Sequence, residues 1–69
     1  MRPGEVVKAA RARKGLTQME VAQRAGVTQQ WVCRRETGET SITLADVQVL
    51  HGVLELTLED ILRLHGRAA

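Results

Sequence analysis

Along this chain the apolar residues recur at three- and four-residue intervals, and the stretches are punctuated by hydroxyls, a proline and glycines. Val6, Val7 and Ala10, leading to Lys14, keep a helical spacing behind Pro3, a residue suited to a first helical turn. Gly15 supplies a left-handed stop. Thr17-Gln18-Met19-Glu20 reads as a capping box, in which the threonine hydroxyl and the glutamate each satisfy one free amide. The short helix it opens is broken by Gly26 after Ala25. Thr28 caps a third helix through Gln29, Trp31, Val32 and Arg35 to Thr37, and Gly38 ends it. Thr43 with Asp46 opens a fourth, with Leu44, Val47, Leu50 and Leu54 on one face. Thr57 with Asp60 opens a fifth, in which Leu58, Ile61 and Leu62 are apolar. The alternation in Val47-Gln48-Val49 and in Leu54-Glu55-Leu56-Thr57-Leu58 lies among helix formers and caps, so no strand is predicted. The expectation is an all-α chain, a single compact five-helix domain over residues 1–69 with short joints and no linker.

Composition narrows this further. Sixty-nine residues make one small domain, which buries only ~60% of its unfolded surface and is marginally stable. Hydrophobic residues are 43% of the chain, but Trp31 is the one aromatic, so the core must be aliphatic. A lone cysteine, Cys33, excludes a disulfide framework and points to a reducing cytoplasm. No apolar run approaches the ~20 residues of a membrane span, and Met1-Arg2-Pro3-Gly4-Glu5 has no signal-peptide character. A cytoplasmic, non-membrane protein is expected.

Catalytic patterns are missing as well. There is no Ser-His-Asp set, phosphate-binding loop or glycine-rich cofactor turn. His51 and His65 lack a third ligand at a useful spacing. Glu59-Asp60 complements a helix dipole and does not read as an acid–base pair. Cys33 beside Arg34 and Arg35 has a redox-switch reading, but without a resolving cysteine it reads more simply as a weakly polar filler. No enzyme, metal or cofactor is expected.

Charge is the informative quantity. The net is only +2, yet residues 1–35 hold eight basic against two acidic side chains and residues 36–69 hold two against six. That split of +6 and −4 suggests a pole for a polyanion and a second pole turned away from it.

Residues 17–37 carry the strongest pattern: two short helices, a tight turn at Gly26 that a Cβ would penalise, and a small Ala22 where the helices must cross closely. Val21, Ala25, Val27 and Val32 supply the apolar faces. This is the arithmetic of a helix-turn-helix, whose second helix is offered to the DNA major groove. From Gly15-Leu16-Thr17-Gln18 through Gly26-Val27-Thr28-Gln29-Gln30 and Glu36-Thr37-Gly38 to Leu50, Leu54, Leu56 and Ile61-Leu62, the chain resembles the Cro/repressor-type (xenobiotic response element) helix-turn-helix family. That family includes the lambdoid phage repressors.

The resemblance implies a lambda-repressor-like fold and specific roles. Thr28, Gln29, Gln30 and Arg34 would face bases, with glutamine pairing to adenine and arginine to guanine. Gln18 and Thr17 would bind phosphate at the head of the second helix, and Thr40 and Ser41 in the loop after the third. Gly26 and Ala22 would shape the turn. Arg11 and Glu36 would pair between the first and third helices, against the alternative that both are solvated.

The chain also departs from the family pattern. Arg35 stands where an apolar residue is usual and must extend its stem and pair its head. Trp31, usually polar, has two readings: a surface for sugar or thymine methyl, or a cover for apolar side chains. The loop Gly38-Glu39-Thr40-Ser41 lacks the family's Lys or Arg, which weakens one phosphate clamp. His51 replaces a small residue and Glu55 a glycine.

Two functions follow. The first is a sequence-specific transcriptional regulator of prokaryotic or phage type, a repressor or autoregulator reading a palindromic operator in double-stranded DNA as a homodimer, with recognition helix 28–37 in the major groove. Phage repressors, restriction–modification controllers and antitoxins are the contexts it suits. Leu56, Leu58, Ile61, Leu62 and Leu64 exceed what the fifth helix needs internally and would form the dimer surface. The second is an adaptor that uses the same scaffold to hold a protein such as a toxin or an RNA polymerase subunit, with Trp31 as its anchor.

Overall fold

Five helices, and no strand among the described residues, make up residues 1–64, the part of the chain described by this computed structural model. They are α1 (Pro3–Lys14), α2 (Gln18–Ala25), α3 (Gln29–Thr37), α4 (Leu44–Leu54) and α5 (Leu58–Leu64). His65, weighed above as a metal ligand, lies outside the described residues.

Three of the four joints are the same corner, built on the same three-position plan. A residue with left-handed backbone comes first: Gly15 at φ 70°, Gly26 at 74° and Glu55 at 52°. An apolar residue follows, Leu16, Val27 or Leu56. Its N–H donates to the carbonyl five residues back, on Arg11, Ala22 and His51, at 3.1, 3.0 and 3.4 Å. That is a Schellman closure, and it drives the apolar residue toward the helix it closes. A threonine then caps the next helix. The hydroxyls of Thr17, Thr28 and Thr57 accept from the N–H groups of Glu20, Trp31 and Asp60 at 3.0, 3.0 and 3.1 Å. Glu20 and Asp60 complete capping boxes by accepting from the N–H groups of Thr17 and Thr57, as Asp46 does for Thr43. Helices this short are held by their ends as much as by their faces.

The core is aliphatic, as composition requires. Val6, Val7 and Ala10 of α1 meet Val21 and Ala22 of α2, Val32 of α3, and Val47, Leu50 and Leu54 of α4, with Leu56 and Leu64 closing the far side. Helix α1 packs on α3, α4 and α5, while α2 packs on α3 and α4. Gly4 permits a close approach of α1 to α3. A Cβ there would collide with the main-chain carbonyls of Arg35 and Glu36, so the start of α1 seats directly on the backbone of α3.

Two expectations are corrected. Leu56 and Leu64, assigned to a dimer surface, are each only 6% exposed and belong to the core. Leu56 is the apolar residue of the third corner, and Leu64 shares the inward side of α5 with half-buried Ile61. Leu58 and Leu62 remain outside, 73% and 64% exposed. Leu44, expected inside with Val47, is exposed too, because the inward side of the first turn of α4 is taken by Asp46.

Candidate nucleic-acid interface

Helix α3 presents one face inward through Val32, 1% exposed. Gln29, Gln30 and Arg34 are exposed on it, and Thr28 is exposed at its head with its hydroxyl engaged in the cap. The Arg34 Nε lies 4.0 Å from a Glu39 carboxylate oxygen, both side chains well exposed. Such a pair is loose and separates at little cost. Gln30 and Arg34, four residues apart, share the face opposite Val32, with Gln29 exposed beside them, and long polar side chains so placed suit groove recognition.

At the head of α2 the structure brings Arg11, Gln18 and Glu36 together. The Glu36 carboxylate accepts from Arg11 Nε at 2.7 Å and Nη2 at 3.0 Å, a two-point pairing of planar groups. Its hydrogen bond holds the Arg11 proton even more tightly than usual. Gln18 Nε2 donates to the same carboxylate at 3.0 Å, and Arg11 Nη1 donates to the Leu16 carbonyl at 2.9 Å. Glu36 is 3% exposed at its side chain and Arg11 17%, so removing either strands the other. The network fixes the head of α2 against the end of α3. It uses one amide hydrogen of Gln18 and leaves the second for an outside acceptor. Thr17 is exposed beside it.

On the opposite flank of α3, Arg35 does what its position demands. Nε donates to the Asp46 carboxylate at 2.9 Å and Nη1 to the Trp31 carbonyl at 3.2 Å. Its guanidinium carbon stands 3.9 Å from the centre of the Trp31 ring, in cation–π contact. Trp31 is therefore half-buried, packed on the core and covered by Arg35. The indole covers apolar surface, and the adaptor reading loses the exposed anchor that favoured it. Burial pushes the Asp46 carboxyl up, but hydrogen bonds from the Thr43 N–H and Arg35 outweigh it and hold the group below the usual carboxylate range. Asp60 is likewise held low, chiefly by the Thr57 N–H against the effect of burial, with help from Arg13 at 2.9 Å.

These pairs overturn the reading of two separate charge poles. Glu36, Glu39, Asp46, Glu55 and Asp60 pair with Arg11, Arg34, Arg35, Lys14 and Arg13 respectively, each acid from the second half of the chain and each base from the first. The halves interlock. None of these pairs except Arg11–Glu36 was foreseen, and a carboxylate assigned to a helix cap gives no sequence sign that the capping oxygen also accepts from an arginine, as Oδ2 of Asp46 and of Asp60 does. Thr40 and Ser41 lie in the loop after α3, and the Thr40 N–H donates to the Arg34 carbonyl at 3.1 Å. Cys33 is a half-buried free thiol on α3. Among the described residues no three metal-binding side chains converge, and no helix is long and apolar enough to cross a membrane.

Comparison with known families agrees with this geometry. Residues 4–66 match a helix-turn-helix domain family of the Cro/CI-like type, and the chain belongs to that family. It is a family of DNA-binding regulators. No curated protein and no solved structure matched the chain.

Proposed function

We propose that the protein is a sequence-specific transcriptional regulator, a repressor or autoregulator that binds a palindromic operator as a homodimer. The observation that carries this reading is the exposed face of α3, where Gln29, Gln30 and Arg34 project from a helix pinned on both flanks by Arg11–Glu36 and Arg35–Asp46. Gln30 and Arg34 are the base readers, each good pairing giving ~1–3 kcal/mol of discrimination. Gln29 and Thr28 contribute at the groove edge, and Gln18, Thr17, Thr40 and Ser41 take phosphates on either side.

The homodimer rests on α5. Leu58 and Leu62, one turn apart, are exposed, and Glu59 and Arg63 beside them form an i,i+4 pair at 2.6 Å. An antiparallel copy sets each leucine on the other and each acid against the partner's base, the self-complementarity a two-fold axis needs. Half-burial leaves Ile61 at the edge of this patch.

Selection of duplexes from a randomised pool tests the reading. A two-fold symmetric site with half-sites ~34 Å apart is expected. A pool that enriches no symmetric motif overturns it.

A further inference from the structure

Among the basic residues of the first half, Arg11, Arg13, Lys14, Arg34 and Arg35 each have a carboxylate within 4.0 Å. Arg2, Lys8 and Arg24 have none among the described residues, and all three are exposed. Two of these, Arg2 and Lys8, line one cleft. Its volume is about 520 Å³, and its opposite wall is the end of α3 and the following loop, including Gly38, Thr40 and Ser41.

The Arg2 guanidinium reaches across this cleft to Gly38: a Cβ built on that glycine would lie 3.6 Å from Arg2 Nη2. The loop itself is tied to the recognition helix by the Thr40 N–H on the Arg34 carbonyl. Of the acids on the lining, Glu36 is consumed by Arg11 and Gln18, and Glu5 accepts from the Arg2 main-chain N–H at 3.0 Å. The cleft thus joins two uncommitted cations, Arg2 just ahead of α1 and Lys8 within it, to hydroxyls from a loop that has no cation of its own.

We infer that Arg2, with Lys8 behind it, completes the phosphate clamp of the α3–α4 loop, binding a phosphodiester of duplex DNA together with Thr40 and Ser41. The charge missing from the loop comes from the start of α1, and the close seat of Gly4 on α3 holds that helix end where its cations reach the loop. This rests on the DNA-binding reading above, and it adds a residue to the site rather than a new partner.

The test is the salt dependence of binding to a scrambled duplex, measured by fluorescence anisotropy for wild type, Arg2→Ala, Arg2→Lys and Arg24→Ala. Losing one phosphate contact lowers the slope of log K against log salt by ~0.9. Over a fourfold rise in salt, Arg2→Ala should lose ~3.5-fold less affinity than wild type, since four to the power ~0.9 is ~3.5. Arg2→Lys restores the slope, and Arg24→Ala, an equal loss of charge elsewhere, leaves it unchanged. Equal slopes for wild type and Arg2→Ala, or an Arg24→Ala slope reduced as much, overturn the clamp. Arg34→Ala separates this from the broader reading. If that variant loses base preference while Arg2→Ala keeps the wild-type slope, only the clamp is wrong. A wild type that binds no duplex overturns both.

Discussion

Replacing Arg35 by methionine keeps most of its apolar stem and removes the guanidinium that joins α3 to α4. In the wild-type protein that group donates to Asp46 at 2.9 Å and caps the Trp31 ring at 3.9 Å, with the two side chains 14% and 11% exposed. A hydrogen bond between charged groups contributes ~1.5–3 kcal/mol, and a partly desolvated cation–π contact adds ~0.5–2 kcal/mol. Breaking a buried pair costs ~3–5 kcal/mol. Because Asp46 keeps the Thr43 N–H, the lower end applies, and Arg35→Met should cost about 3 kcal/mol. A domain of this size has roughly 3–10 kcal/mol in total, at ~0.05–0.15 per residue. The melting temperature should then fall by ~12–24 °C, at ~4–8 °C per kcal/mol.

Urea unfolding followed by far-ultraviolet circular dichroism measures this at one fixed protein concentration, since Trp31 emission itself responds to Arg35. Asp46→Asn keeps the acceptor for Thr43, and the double variant closes the cycle with a coupling of ~1–3 kcal/mol. A cost below about 0.5 kcal/mol for Arg35→Met, the range of ordinary surface changes, with strictly additive singles, would refute the reasoning.

Further outcomes follow from the same contacts. Asp46 and Asp60 titrate lower in the folded state than when unfolded. Their stabilisation is therefore complete above the unfolded carboxylate value of ~3.9 and is lost as pH falls through their folded values; Asp60→Asn should flatten the acid limb of a stability–pH curve, and an unchanged limb would contradict this. Gly4→Ala should destabilise by ~1–3 kcal/mol in thermal unfolding, because a methyl group meets two backbone carbonyls that cannot step aside; a wild-type melting curve would show that α1 is not seated as described. Leu62→Glu should leave the monomer folded while shifting sedimentation to the monomeric mass, since the side chain is 64% exposed; an unaltered dimer would move the interface off α5.

Much of the fold is legible because its signals are local. A threonine three residues ahead of a carboxylate, and a glycine behind an amphipathic stretch, state where helices start and stop. With Pro3 opening α1 and Thr28 capping α3, such signals mark the starts of all five helices and the ends of α1, α2 and α3. The family register likewise located Arg11 and Glu36. What escaped is non-local or ambiguous in direction. Arg13 and Asp60 are far apart in sequence, and only the packing of α5 on α1 brings them together. In a helix as short as α5, leucine or isoleucine at 58, 61, 62 and 64 points to several sides, so periodicity alone does not say which side is inward. Leu56 could have been read: an apolar residue between a left-handed position and a capping threonine occurs at Leu16 and Val27 as well, but the third copy carries glutamate where the first two carry glycine. The start of α1 gave no warning, since a buried Gly4 looks like any glycine near a helix end.

Anisotropy on duplex taken from upstream of the protein's own coding sequence, against a scrambled duplex of the same length, addresses the role of α3 directly. Wild type should bind the first far more tightly than the second and weaken steeply with salt. Gln30→Ala with Arg34→Ala should bind both weakly and alike. Equal weak binding of wild type to the two duplexes, unchanged by those substitutions, would contradict operator reading by α3 and leave only a basic surface.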